Sequence, residues 1–374
     1  MKKNAVKQIP VKIYRAIISN FYNKPRFIFD LFKNPGKYCK ANTYYPEFKR
    51  KSAFRIWWDQ FRQIMILGYP NTYYHAYGFD VKSKEECKKY IQYGEFFNVR
   101  NSYNIRQHSP TAILRDKFYF GMFCEYLGIS TGKNIGLIRN GDFFELKTSE
   151  NLPLDELAKR YKGTLFIKLI DGECGKDINV LTVTDSDVRI NGEVSIMAEL
   201  ASLTKSGVFL IQEKVEQCNE IASLHKESLN TIRLITIRNN KTGQVGLFPS
   251  FLRIGTGEMV VDNVSRGGIA VGIDSKTGKL KDTGFYIPEF GGSVKMHPDS
   301  KIKFSEIRIP YWDKAVEEAK FMHSLLPGIK SIGWDVAIGE KGPVFIEGND
   351  NWQISGPQMC HGGLRKEFLS MVKG

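Results

Sequence analysis

The sequence predicts an α+β protein with a helical, aromatic-rich N-terminal extension. Three observations carry this. Positive charge is concentrated: residues 1–60 hold 14 Lys and Arg against 3 Asp and Glu, and the remaining 314 hold 40 against 37. Aromatic residues crowd the stretch 41–80, with 12 in 40 positions. From about residue 110 the texture changes to short β-rich runs alternating with helical ones.

The composition, 42% hydrophobic and 25% charged over 374 residues, excludes wholesale disorder and allows two or three compact units. No apolar run approaches the roughly 20 residues of a membrane span. The opening MKKNAVKQIPVKIYR lacks the apolar core of a secretory signal, so a cytoplasmic protein is expected. Six cysteines without a CxxC pair and six scattered histidines predict reduced thiols, not a disulfide framework or a zinc site.

In residues 1–40, Val11, Tyr14, Ile17, Ile18 and Phe21 recur at helical spacing, and Phe27, Ile28, Leu31 and Phe32 repeat the pattern after Pro25. One or two short basic amphipathic helices are predicted. They either pack on their own domain or rest on an anionic membrane surface. The aromatic stretch, with Trp57, Trp58, Tyr73, Tyr74 and Tyr77, is either a core or cap, or the lining of a sugar or other acceptor pocket. No nucleic-acid-binding spacing occurs, and no nucleic-acid partner is expected.

Asp116 to Leu127 predicts a helix stopped by Gly128. Ile135–Arg139 and Phe143–Leu146 flank Asn140-Gly141, a two-residue hairpin signal. A short helix is predicted over Leu154–Tyr161, with strands at Thr164–Ile170, Ile178–Val183 and Val208–Gln212. Thr231–Arg238 opens a further set of strands, near 245–253, 258–261 and 268–273. Asp313–Leu326 predicts a helix stopped by Pro327-Gly328, and Ile332–Ile338 and Val344–Glu347 are the last strands.

The strongest chemical signal is IGWDVAIGEKGPVFIEGND, residues 332–350. It predicts a hairpin with a three-residue turn Glu340-Lys341-Gly342, pairing either Ile338 or Gly339 with Pro343. The second register sets Asp335 opposite Glu347, with Asn349 on the same face and Ile332, Trp334, Val336 and Ile338 on the core face. Adjacent carboxylates repel unless a cation sits between them. The hairpin places no Lys or Arg beside them, which disfavours a simple ion pair. Hard oxygen donors favour magnesium, which takes phosphate oxygens to complete its shell.

Lys168 interrupts the apolar strand of TLFIKLIDGECGKD and leads into a loop with Gly172 and Gly175, whose backbone lets phosphate approach closely. The alternative is a lysine whose stem snorkels to water. In FLIQEKVEQCNE, the Glu213-Lys214-Val215 segment offers backbone groups to an adenine edge. Glu220 either reaches a ribose hydroxyl pair or is an exposed loop acid.

Lys117, then Lys168 with its glycine loop, the Glu213 hinge, and Asp335…Glu347-x-Asn349 together resemble the ATP-grasp superfamily. SLNTIRLIT, FLRIG, DNVSRGGIAVGID and GWDVAIGEKGPVFIEGN resemble its sugar-transfer-associated branch, over roughly residues 110–360. The resemblance implies an ATP-grasp fold, in which two α+β lobes grip ATP. Residues 1–105 are then the N-terminal region, 106–215 the small lobe and 216–374 the large lobe with the metal site. It implies that Lys117 and Lys168 hold phosphates and that Asp335, Glu347 and Asn349 hold two magnesium ions.

The implied activity is a carboxylate–amine ligase working through an acyl phosphate, in the modification of bacterial surface polysaccharide. Its substrates would be a small-molecule amine and a carboxylate such as a sugar acid. Ligase relatives commonly carry an arginine just before the first metal-binding Asp, where this chain has Ile332-Gly333-Trp334. Arg233, Arg253 and Arg266 are therefore the candidates for stabilising the reacting centre. The alternatives are an ATP-grasp kinase and a non-catalytic glycan-binding protein at the membrane surface.

Overall fold

The computed structural model describes residues 22–39, 44–104, 110–172, 178–258, 264 and 267–373. Two antiparallel sheets dominate. The smaller lobe has β1 (Asn134–Arg139), β2 (Asp142–Glu145), β3 (Glu150–Pro153), β4 (Gly163–Leu169), β5 (Ile178–Val183), β6 (Val188–Ile190), β7 (Glu193–Val194) and β8 (Phe209–Glu213), in the order β3-β2-β1-β8-β4-β5-β6-β7. The larger has β9 (Thr231–Arg238), β10 (Val245–Ile254), β11 (Ile269–Ile273), β12 (Leu280–Phe285), β13 (Ser293–Val294), β14 (Ser331–Gly339) and β15 (Gly342–Asn349), in the order β13-β12-β11-β10-β9-β14-β15.

Local chemistry explains several boundaries. Asn140 and Gly141 both take positive φ, 54° and 85°, the conformation a two-residue turn between twisted strands demands. Asp116 caps the helix Lys117–Tyr126 by accepting from the Phe118 and Tyr119 N–H groups.

Each lobe has its own core. In the smaller, Ile138, Phe143, Ile167, Ile211 and their neighbours meet Leu157 and Leu200 from two short helices. In the larger, β9, β10, β11 and β14 bury Leu234, Leu252, Val271 and Trp334 against the helix Trp312–Ser324. Leu114, Phe120 and Cys124 join this second core. Their helices, Thr111–Arg115 and Lys117–Tyr126, precede the small sheet in sequence yet pack with the large one, so residues 111–129 join the large lobe's core and not the small lobe's.

The second half of the aromatic stretch is core, with Tyr73 at its edge lining the interlobe cavity, while Phe48, Phe54 and Trp58 of the stretch stay exposed. Tyr44, Tyr74, Tyr77, Phe79 and Tyr90 form one cluster with Phe251, Ala270, Phe285 and Met359 of the large lobe. Gln358, in the helix Ser355–His361, accepts from the Ile91 N–H at 2.9 Å and donates to its carbonyl at 3.2 Å. Arg100 donates to the carbonyls of Asn351 and Trp352 at 2.7 and 2.8 Å. Among the described residues no helix is long and apolar enough to cross a membrane. The helix expected over Val11–Phe21 lies outside the described residues, as does most of the strand expected at 258–261.

Candidate active site

A cavity of about 580 Å³ opens between the two sheets. Its floor is a single row of cross-strand partners on the large sheet: Glu347 opposite Asp335, Asp335 opposite Arg233, Arg233 opposite Phe251. With strands about 4.8 Å apart, the row runs some 14 Å from an acidic end to an apolar one.

The hairpin that starts this row differs from its expected form. The turn holds two residues, Glu340 and Lys341, with Gly339 paired to Gly342 and Ile338 to Pro343. That register alone would turn Glu347 to the core face. A bulge at Ile346 shifts the register between Val336–Phe345 and Asp335–Glu347, and this returns Glu347 to the cavity. The expected juxtaposition of Asp335 with Glu347 therefore occurs, produced by a bulge and not by a three-residue turn.

The expectation that no cation stands beside the acids is overturned. Arg233 Nε lies 2.6 Å from Asp335 Oδ1, and Arg253 Nη2 lies 2.8 Å from Oδ2. The hairpin read alone hides them, because both arrive from neighbouring strands β9 and β10. Asp335 is 3% exposed; burial pushes its carboxyl up, but the two guanidinium groups outweigh this and hold it below its usual range. Glu347 is pushed up by burial and then by Asp335, with Lys117 and Arg233 opposing. Asn349 Nδ2 donates to Glu347 Oε1 at 3.2 Å.

Across the cavity, Lys168 projects from β4 and donates to Gln212 Oε1 at 2.9 Å. Burial, with Lys117 adding to it and Glu347 opposing, brings the Lys168 ammonium down to about 8. Lys117 opens its helix; its N–H donates to the Ile170 carbonyl at 2.9 Å, and its ammonium donates to the Gly172 carbonyl. The lysine and the glycine loop are thus tied together. Glu213, Lys214 and Val215 line the cavity where the chain leaves β8. The Lys214 N–H donates to the Thr164 carbonyl at 3.2 Å, holding this segment against β4.

Lys117, Lys168, Gly172, Glu213, Lys214, Val215, Arg233, Arg253, Asp335, Glu347 and Asn349 all border this one cavity. Glu220 does not. It is exposed on the short helix Asn219–Ala222, whose Asn219 and Ala222 do line the wall. Gly175 and Arg266 lie outside the described residues. Sequence reasoning passed over Gln212 and Phe251; Tyr73, one of the aromatics expected either in a core or in an acceptor pocket, does line the cavity. Gln212 carried a usable signal, being a polar residue in the apolar run Phe209–Ile211, the same criterion that singled out Lys168.

The donor set suits a hard divalent cation. Asp335 and Glu347 offer carboxylate oxygens and Asn349 an amide oxygen, all bordering the one cavity. Among the described residues no group of three His, Cys, Asp or Glu gathers as a metal site.

A two-lobed fold with lysines facing acids across an interlobe cleft defines an ATP-grasp protein. Residues 97–373 match the family described as sugar-transfer associated ATP-grasp, and the chain belongs to that family. No curated protein matches the chain.

Solved structures give only distant likenesses. The N5-carboxyaminoimidazole ribonucleotide synthetase of Thermotoga maritima is 14% identical over 70% of this chain and 49% of its own, with a TM-score of 0.37. The N5-carboxyaminoimidazole synthetase of Staphylococcus aureus complexed with ADP is 12% identical over 76% and 59%, with a TM-score of 0.42. The D-alanine–D-alanine ligase of Bacillus anthracis is 13% identical over 70% and 68%, with a TM-score of 0.37. The match takes in about half the length of the first two synthetases found, 47% and 49%.

Proposed function

We propose that the chain is an ATP-dependent carboxylate–amine ligase acting on a sugar acid or a similar acid in bacterial surface polysaccharide modification. The observation that carries this is the row Glu347–Asp335–Arg233 facing Lys117 and Lys168 across one cavity. Phosphoryl transfer asks for positioning and charge neutralisation more than for covalent chemistry by the protein. Lys117 and Lys168 supply positive charge to the phosphates of ATP. Glu213 to Val215 present backbone to the adenine. Asp335, Glu347 and Asn349 would hold magnesium, which when bound neutralises phosphate charge.

In this reading a substrate carboxylate oxygen attacks the γ-phosphorus of ATP, the bond to the β-phosphate oxygen breaks, and ADP leaves. The amine nitrogen then attacks the acyl carbon, phosphate departs, and the nitrogen loses a proton to water. Arg253 and Arg233 stand between the acids and the apolar end, where the negative charge of both steps develops. That apolar end is built by Tyr73, Phe251, Ala270, Ile287 and Met359, which suits the uncharged face of an acceptor ring.

The test is ADP release with ATP and magnesium across a matrix of sugar acids and amines. Release that needs both an acid and an amine, with an amide product by mass spectrometry, is the expected result. Release with a hydroxyl acceptor and no amine would make the protein a kinase. Absence of any turnover with tight acid binding would favour the non-catalytic reading.

A further inference from the structure

We infer that the outward faces of the helices Lys24–Lys33 and Ala53–Leu67 form a docking surface for an anionic lipid bilayer. Each helix is two-sided. Leu31, with Phe27 and Ile28, packs against Ile64, Trp57 and Phe61, and this is the inner side. The outer side of the first helix carries Arg26, Phe29, Phe32 and Lys33, all exposed, with Phe29 at 67%. The outer side of the second carries Phe54, Arg55, Trp58, Arg62, Met65 and Ile66, also exposed, with Phe54 at 75% and Ile66 at 68%. The spacing in each is that of one helical face. The two faces are joined, since Phe32 meets Trp57 edge-on at 5.1 Å and Phe54 stacks on Trp57 at 6.5 Å between centroids.

Charge decides what covers this face. Each helix contains a single acid. Asp30 is held by Lys37 and Asn34 at 2.8 Å and by Tyr38. Asp59 is held by Tyr74 at 2.7 Å and Lys51 at 3.2 Å, with Arg55 approaching at 3.8 Å. The acids are therefore engaged within the fold, and the outer face presents cations among large apolar side chains. A second copy would set like charges against each other. Nucleic acid would meet the cations, but its phosphates give Met65 and Ile66 nothing to bury in. An anionic headgroup layer over acyl chains satisfies both kinds of side chain. Trp58, 42% exposed on the outer side of the second helix, suits the interface, where an aromatic ring with one polar edge is favoured.

The test uses the full chain with phosphatidylcholine vesicles, with and without phosphatidylglycerol. Co-sedimentation is expected on the mixed vesicles at low salt, weakly on phosphatidylcholine alone, and falling steeply as salt rises. Arg26→Glu with Arg62→Glu should weaken binding by about tenfold or more. Phe29→Ser, Phe54→Ser and Ile66→Ser together should do the same while the melting curve stays that of the parent, because these side chains are exposed. Trp58 emission should be quenched by brominated acyl chains and the quenching lost in Trp58→Phe.

No binding to anionic vesicles at low salt overturns the inference. So does binding that survives both sets of substitutions, which would move the contact elsewhere in the chain. Self-association abolished by the apolar substitutions, without lipid binding, would assign the face to a second copy. Duplex DNA that displaces the vesicles and depends on the arginines but not on Phe54 and Ile66 would assign it to nucleic acid.

Discussion

Asp335 and Glu347 sit side by side yet differ in what removing their charge does. Asp335 neutralises two guanidinium groups at 2.6 and 2.8 Å inside the protein. Asp335→Asn strands them, and a loss of roughly 3–5 kcal/mol of stability is expected in denaturant titration. Glu347→Gln removes a repelling carboxylate instead, so the protein should be as stable as the parent or more so. Its ADP release should nonetheless fall to background at saturating magnesium, and near-normal release would remove Glu347 from the site.

Lys168 predicts a pH effect. Its ammonium titrates at about 8 before ATP arrives, and phosphate contact favours the charged form. Below that pH the proton is already present. Above it, binding must take up a proton, so ATP affinity should drop as pH rises from 7 to 9, at most about tenfold per unit. Calorimetry in buffers of different ionisation enthalpy would detect the uptake, and Lys168→Met should abolish it. At neutral pH, Lys168→Ala should weaken ATP binding by roughly 2–4 kcal/mol.

Among the elements, the β14–β15 hairpin carries the acids and β9 the arginine beside them, so the spacing of these strands sets the geometry of the proposed site. Gly333 shows how tight it is: a methyl group there would lie 2.8 Å from Trp352 Cβ and 3.1 Å from Arg233 Cδ. The Trp352 atom is fixed to backbone and cannot swing away. Gly333→Ala should cost roughly 1–3 kcal/mol in thermal unfolding and displace Arg233, lowering turnover beyond what the stability loss explains.

The same elements mark what the sequence made legible. Strand periodicity located β5 and β9, and alternation placed Trp334 and Val336 in the core and Asp335 on the other face. The bulge was not legible, because nothing in Val344-Phe345-Ile346-Glu347 announces an unpaired residue. Nor were the Arg233 and Arg253 ion pairs, which depend on β9 lying between β10 and β14, a matter of sheet order and not of local pattern.

Over the whole molecule, the N-terminal region and the lobes are less separable than composition suggests. The family match begins at residue 97, but Tyr44, Tyr74, Tyr77 and Tyr90 complete the core over Phe251, Phe285 and Met359. A chain trimmed to residues 97–373 would expose that apolar surface and lose the Ile91–Gln358 hydrogen bonds. It should aggregate or melt well below the full chain, and a trimmed chain with an unchanged melting curve would refute the dependence. The charge count over residues 1–60 pointed to one basic face, and Arg26, Lys33, Arg55 and, just beyond it, Arg62 are exposed. It carried no information on residues 69–91, where aromatic side chains join a core whose other half lies far along the sequence.

The Ile91–Gln358 contact spans 267 positions, and it has a consequence for how the protein comes into being. A ribosome adds about 5–20 residues each second, so the aromatic segment waits on the order of 10–50 s before its partners exist. Throughout that interval its core stays incomplete, because Phe251 and Phe285 come late and Met359 later still. The nascent chain should therefore be a client for chaperones that hold apolar segments. Chains arrested near residue 340 should be digested by protease through residues 44–90, and chains released at full length should resist.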